Sequence, residues 1–180
     1  MTPHITRLAL VAVLALSLAA CGGDKTSDGS GGAPAATTVL LAADMPDAVN
    51  VFSAKKKAEG DEVVVFGRVR AEVDGSAAFT IIDTAIEYCG EGAEKCGCPT
   101  PWDYCCEEGK DVIEASLPVE VRDAQGEVID VTTSDVRLLD VVALKGTLGK
   151  TESGDLILVV NDGWYRRDRP SLPEGIQWPE

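Results

Sequence analysis

Between Glu62 and Val73 the chain reads E-V-V-V-F-G-R-V-R-A-E-V. Val63, Val65, Val69, Ala71 and Val73 carry the period of two that marks a half-buried strand, cleanest after Phe66. Gly67 interrupts this long strand. A residue without a Cβ in a strand interior predicts a bulge or a sharp coil. Asp74-Gly75 is a hairpin turn signal. Ala77–Asp83 then reads as a second strand, with Phe79 and Ile81 on one face and Ile82 on the other.

Three more strands follow at intervals. Ala115–Arg122 alternates through Leu117, Val119 and Val121, and Pro118 places it at an edge or a bulge. Ala124-Gln125-Gly126 is a turn after which Val128–Val131 pairs back as a short strand, and Ser134–Leu139 is short, about one helical turn. Val141–Leu148 and Leu156–Trp164 form a last hairpin around Ser153-Gly154-Asp155. Ahead of all these, Pro46–Ala58 predicts a short helix. Asp44 caps it, Pro46 suits its first turn, and Ala48, Val49 and Phe52 share a face. Lys55, Lys56 and Lys57 complement its dipole as a solvated end, and Gly60 stops it. Aromatic residues are 5% of the chain, so the core must be built of Val, Leu, Ile and Ala. The expected class is all-β: a short N-terminal helix and five strands, with an insertion between strands 2 and 3. Strand order, the V-V-V-F-G-R-V opening and the V-V-A-L-K-G-T-L segment of the closing hairpin resemble the OB-fold, a small coiled Greek-key barrel, over Glu62–Tyr165. Closure removes exposed edges, which suits so few residues. A small β-sandwich is the alternative.

The first twenty residues read as a targeting segment. Arg7 and the amino terminus supply positive charge, and Leu8–Leu18 is an apolar run too short to span a bilayer. Leu18-Ala19-Ala20-Cys21 resembles the lipobox of bacterial lipoproteins, which implies lipidation (palmitate among the acyl groups) at Cys21 after removal of residues 1–20. An ordinary signal peptide cut after Ala20, leaving Cys21 a thiol, is the alternative. Removal would take the sole histidine, His4, so the mature chain would carry no imidazole. Gly22 rather than Asp after Cys21 resembles outer-membrane cargo, which places the protein in the envelope, facing the periplasm. Residues 21–43 are then the anchor and a flexible tether. The Gly-, Ser-, Asp- and Ala-rich part, Gly22–Thr38, would reach roughly 20–25 Å root-mean-square. Residues 44–169 are the β-domain and 170–180 an irregular tail.

Five of the six cysteines fall in the insertion, 88–108: Cys89, Cys96, Cys98, Cys105 and Cys106. Four thiolates make a closed tetrahedral site for Zn²⁺, and C-x-C or C-C spacing also suits Cu(I). The expected ligands are Cys89, Cys98, Cys105 and Cys106, with Cys96 an alternate. The Pro-Thr-Pro-Trp segment stiffens the loop, and Trp102 is placed to cover the site. Adjacent cysteines point apart in extended chain, so Cys105-Cys106 requires a turn or a helical start. The competing reading is two disulfide staples with one cysteine left over, as an oxidising compartment favours. Thiol redox exchange would want a C-x-x-C pair, and the chain has none.

Cys98, Thr100, Pro101, Trp102, Asp103, Tyr104, Cys105 and Cys106 spell C-x-T-P-W-D-Y-C-C. This resembles a signature of a group of bacterial lipoproteins without an assigned activity. The resemblance implies a recurrent cysteine site on an OB-like barrel.

Other function classes lack their apparatus. A formal charge of −14 opposes phosphate backbones, so an OB-type nucleic-acid binder is disfavoured. There is no G-x-S-x-G, no phosphate loop and no C-x-x-C-H. Asp83, Glu87, Asp103, Glu107, Glu108 and Asp111 surround the cluster without EF-hand spacing, and read as a solvated acidic rim. Arg166, Arg167 and Arg169 are expected to pair with the protein's own acids. The expected function is a membrane-anchored, non-enzymatic binding or accessory module with a metal-holding loop. A disulfide-stapled domain docking another envelope protein is the alternative.

Overall fold

The computed structural model describes residues 41–72, 78–91, 99–123, 125–129 and 136–171. Cys21 and the tether, the Asp74-Gly75 turn, Cys96, Cys98 and the tail beyond Ser171 lie outside the described residues. No described helix is long and apolar enough to cross a membrane.

The chain order is β1 (Val49–Asn50), α1 (Val51–Ala54), β2 (Glu62–Glu72), β3 (Ala78–Ile82), α2 (Gly109–Glu114), β4 (Ser116–Val121), β5 (Val141–Lys150) and β6 (Leu156–Asp168). The sheet runs β1-β2-β3-β4-β6-β5, and β5 pairs back onto β2, closing a five-stranded barrel. β4 and β6 are parallel, while the other barrel pairs are antiparallel. This is the OB order expected from the sequence, with the cysteine segment between the second and third barrel strands.

β2 has two neighbours in succession. Glu62–Arg68 pairs with Thr147–Val141, and Arg68–Glu72 pairs with Ile82–Phe79. Gly67 sits at the changeover, where a Cβ would lie 2.9 Å from the Ile82 carbonyl oxygen and 3.1 Å from a Val51 methyl. The glycine therefore allows the strand to be crossed closely. The bulge itself comes later, between Val69 and Ala71. Gly146 is tighter still: its Cβ would fall 2.1 Å from the Val159 carbonyl oxygen, at the irregular step of the β5–β6 pairing. Pro118 pairs with Thr80 on β3, while pairing to β6 begins only at Val119. Its missing N–H thus falls at an edge, as expected.

The barrel interior is aliphatic. Val65, Val69, Ile81, Leu117, Val119, Val142, Leu158 and Val160 are fully buried, and among the described residues Phe79 and Trp164 are the large rings of this core. Ile82, on the opposite face of β3, is equally buried in a second cluster with Tyr104, Val112 and Ala115.

Several local expectations change. The helix is a single turn, Val51–Ala54, capped by the Asn50 side chain accepting from the Ser53 amide. It starts late because Val49-Asn50 pairs with Val65-Phe66. Asp44 instead accepts from Arg167 Nε at 2.8 Å. Lys55 does not serve its own helix: its ammonium donates to the carbonyls of Ile113, Glu114 and Ser116, at the end of α2. Val128 does pair back, as a bridge to Arg122. The arginine knot pairs with acids as expected. Arg169 grips the fully buried Asp140 with two hydrogen bonds of 2.7 Å, and Arg166 lies 3.9 Å from the same carboxylate.

Candidate metal centre

The insertion leaves β3 at Ile82 and is shaped by backbone pairing before any cysteine chemistry enters. The Asp83 amide donates to the Ala115 carbonyl, joining the two ends of the insertion. The Asp83 carboxylate is buried and accepts from the amides of Phe52 and Ala85. It is therefore a structural acid and no part of an open rim. Further along, the Cys89 amide donates to Asp103 O at 2.8 Å and the Gly90 amide to Pro101 O at 2.7 Å. Two segments eleven to fourteen residues apart in sequence thus lie side by side. Gly90 permits this, since a Cβ there would come 2.9 Å from Pro101 O. The Glu107 amide then donates to Tyr104 O, closing a turn over Cys105-Cys106. That turn lets two adjacent side chains converge.

The result is a triad. Cys89 Sγ lies 3.1 Å from Cys105 Sγ and 3.8 Å from Cys106 Sγ, and all three sulfurs lie within 4.8 Å of one another. Tetrahedral thiolates at the usual zinc–sulfur distance stand about 3.8 Å apart; the Cys89–Cys106 separation matches this and the Cys89–Cys105 separation is shorter. Cys89 is buried; Cys105 and Cys106 are exposed. Three of the four expected ligands are brought together. The fourth, Cys98, and the alternate, Cys96, lie outside the described residues. Among the described residues no other group of three or more metal-ligating side chains converges, and the acids around the cluster do not form one.

Beneath the triad lies a support that sequence reasoning missed. Arg68, on β2, is 5% exposed. Its guanidinium donates to the Ile86 carbonyl at 3.2 Å, pairs with Glu91, and lies 4.8 Å from the centre of the Tyr88 ring. Glu91 in turn accepts from the Tyr88 amide. Tyr88 precedes Cys89 and Tyr104 precedes Cys105, and the Arg68 charge acts on both phenols. Burial pushes the Tyr104 phenol up to about 12, and the nearby Arg68 charge offsets only part of that rise. The Tyr104 hydroxyl has no hydrogen-bond partner among the described residues. The Tyr88 phenol is also raised, first by burial and then by Glu91. The sequence signal for Arg68 was a charge beside the strand's glycine, which alone says nothing about its partners.

Apolar packing completes the support. Ile82, Tyr104, Val112 and Ala115 form a small core with Phe52, Ile86 and Tyr88 against it. The described part of the loop therefore has packing of its own and an ion pair between a buried arginine and a half-buried glutamate.

No known protein-family description matches the chain, and none of the curated proteins compared with it matches.

Proposed function

We propose that the protein is a lipid-anchored envelope module that binds a metal ion through its cysteine loop, without catalysing a reaction. The observation that carries the metal reading is the convergence of three sulfurs on a loop already shaped by its own core. The described part of that loop has apolar packing of its own, and a soft-metal site needs sulfurs brought to one point. Zn(II) is the leading ion and Cu(I) the alternative, with Cys98 or Cys96 available as a further ligand. The anchor reading rests on Leu18-Ala19-Ala20-Cys21, and the envelope location follows from it. The C-x-T-P-W-D-Y-C-C resemblance supports the same reading, a recurrent cysteine site on an OB-like barrel.

The test is metal content together with thiol titration on the exported, lipidated protein purified in detergent without chelator. The expected result is about one equivalent of metal, with thiols that resist modification until the metal is stripped. The 3.1 Å approach of Cys89 to Cys105 favours a second reading, a disulfide-stapled domain that docks another envelope protein. Metal-free protein with a Cys89–Cys105 bridge in its peptide map would establish that reading instead. Loss of palmitate labelling in Cys21→Ser tests the anchor separately.

A further inference from the structure

Resting on the metal reading above, we infer that Arg68 is a positioning residue for the cysteine site: it sets the place of Cys89 from β2, so that zinc affinity depends on a side chain that is no ligand. Its contacts surround the ligand. One guanidinium nitrogen donates to the Ile86 carbonyl at 3.2 Å, the other pairs with Glu91, and the guanidinium carbon lies 4.8 Å from the centre of the Tyr88 ring. Ile86 is three residues before Cys89, Tyr88 one before it and Glu91 two after it. The segment is also tied to itself, since the Glu91 amide donates to Tyr88 O at 2.9 Å and the Glu91 carboxylate accepts from the Tyr88 amide. Arg68 stands on rigid ground. It pairs with Val141 of β5 on one side of β2 and with Ile82 of β3 on the other, and its side chain is nearly dry. Groups carried by such an element are placed more closely than groups carried by a loop.

The placement passes on to the other two sulfurs. The Cys89 amide donates to Asp103 O and the Gly90 amide to Pro101 O, so the segment that Arg68 holds fixes 101–103 beside it. Asp103 Oδ1 accepts from the Tyr104 amide at 2.7 Å, and the Tyr104 ring is packed in the cluster of Ile82, Val112 and Ala115 immediately ahead of Cys105 and Cys106. Ligands already in place when the ion arrives lose less freedom on binding it. Partners that orient a metal's ligands from outside typically contribute 10–100-fold in affinity. A residue that served the barrel alone would stabilise the metal-free and zinc-loaded protein equally. It would then leave affinity unchanged, because affinity reads only the difference between the two states.

The test measures Zn(II) affinity of the full-length lipidated protein, reduced and in detergent under anaerobic conditions, by competition with a chromophoric chelator. Arg68→Met should weaken zinc binding by roughly 10–100-fold, with circular dichroism of the metal-free variant establishing that the barrel is retained. Urea unfolding with and without zinc separates positioning from plain stability. The substitution should cost the zinc-loaded protein more than the metal-free protein, by the about 1.4–2.8 kcal/mol to which that fold-change converts. Arg68→Lys keeps the charge without the fork and should recover less than half of the loss. Glu91→Gln leaves β2 untouched and should lower zinc affinity in the same direction, which keeps the inference testable where Arg68→Met does not fold. Unchanged zinc affinity in Arg68→Met, or in Glu91→Gln where the first variant does not fold, overturns the inference and leaves the metal reading standing. Full recovery in Arg68→Lys overturns it too, since a bare charge would then suffice. Unsubstituted protein that takes up no zinc sinks the metal reading and the inference with it.

Discussion

Replacing Arg68 by Met should loosen the cysteine loop without opening the barrel. The guanidinium is nearly dry, with 6% of its side chain exposed, and Glu91 is 33% exposed. A charge-assisted hydrogen bond in such a place contributes about 1.5–3 kcal/mol, and the Tyr88 ring adds about 0.5–1 kcal/mol. Methionine keeps most of the apolar stem, so the cavity term is small. Glu91 can recover water after the change, which avoids a stranded charge. The net cost is then about 2–4 kcal/mol. Urea unfolding followed by tryptophan fluorescence measures it. Reaction of Cys89 with a thiol reagent reports the loop itself, because Cys89 is buried only while the loop is seated. Its labelling should accelerate in the metal-free, reduced variant at urea concentrations where the barrel is intact. Arg68→Lys restores the charge but not the fork that serves Ile86 O and Glu91 together, and should recover less than half of the loss. A cost below about 0.5 kcal/mol, the scale of an ordinary surface change, would refute the argument. Full rescue by lysine would refute the part that depends on the planar fork.

Further outcomes follow from the same packing. Gly146→Ala sets a methyl 2.1 Å from the Val159 carbonyl oxygen, where only backbone can give way, and should cost more than about 3 kcal/mol or prevent folding, read by urea titration or soluble yield. Alkaline stability should fall between pH 10 and about 12, because folded Tyr104 holds its proton to about 12 while the unfolded phenol releases it near 10. The folded state then binds the extra proton, so this stabilisation of roughly 2–3 kcal/mol is complete below pH 10 and lost as pH climbs through that window; urea titrations across pH should show the drop, and Tyr104→Phe should remove it. Lys55→Met takes the ammonium from three carbonyls at the end of α2 and should cost about 1 kcal/mol, with faster amide exchange confined to α2 and the start of β4.

The barrel was legible because its information is local. Period-two alternation in Val63–Ala71, the placement of Phe79 and Ile81 opposite Ile82, and the Ser153-Gly154-Asp155 turn each fix one strand or one turn. Closure follows once those pieces are in order, since β2 is long enough to serve both β5 and β3. Gly67 was read as a bulge or a sharp coil; the bulge falls between Val69 and Ala71, and Gly67 is where β2 passes from β5 to β3 and is closely crossed. In sequence the two are identical, because both require only the absence of a Cβ. The helix was over-read for a related reason. Pro46, Ala48, Val49 and Phe52 satisfy a helical period, but the two-residue pairing of Val49-Asn50 with β2 claims the first half of that segment. Edge pairing of this kind is a tertiary event and outweighs a propensity difference of tenths of a kcal/mol per residue.

The site shows the same division more sharply. Cys89, Cys105 and Cys106 were named from type and spacing alone, and they do converge. Their supports could not be named in that way. Arg68 acts on Ile86 and Glu91 from β2, and Lys55 caps a helix that begins 54 positions later. Each is a long cation whose stem crosses apolar surface and whose head finds carbonyls or a carboxylate there. Nothing in the neighbouring sequence selects those acceptors. They become available only after the barrel has closed and set β2, α1 and the insertion beside one another. This ordering has a functional consequence. On the metal reading proposed above, the described part of the loop is held by its own packing and by the Arg68–Glu91 pair, so the cysteines are not its sole framework. A cysteine cluster that was itself the framework would couple every ligand exchange to local unfolding. Here Arg68, Lys55 and the Ile82–Tyr104 cluster support the described part of the insertion.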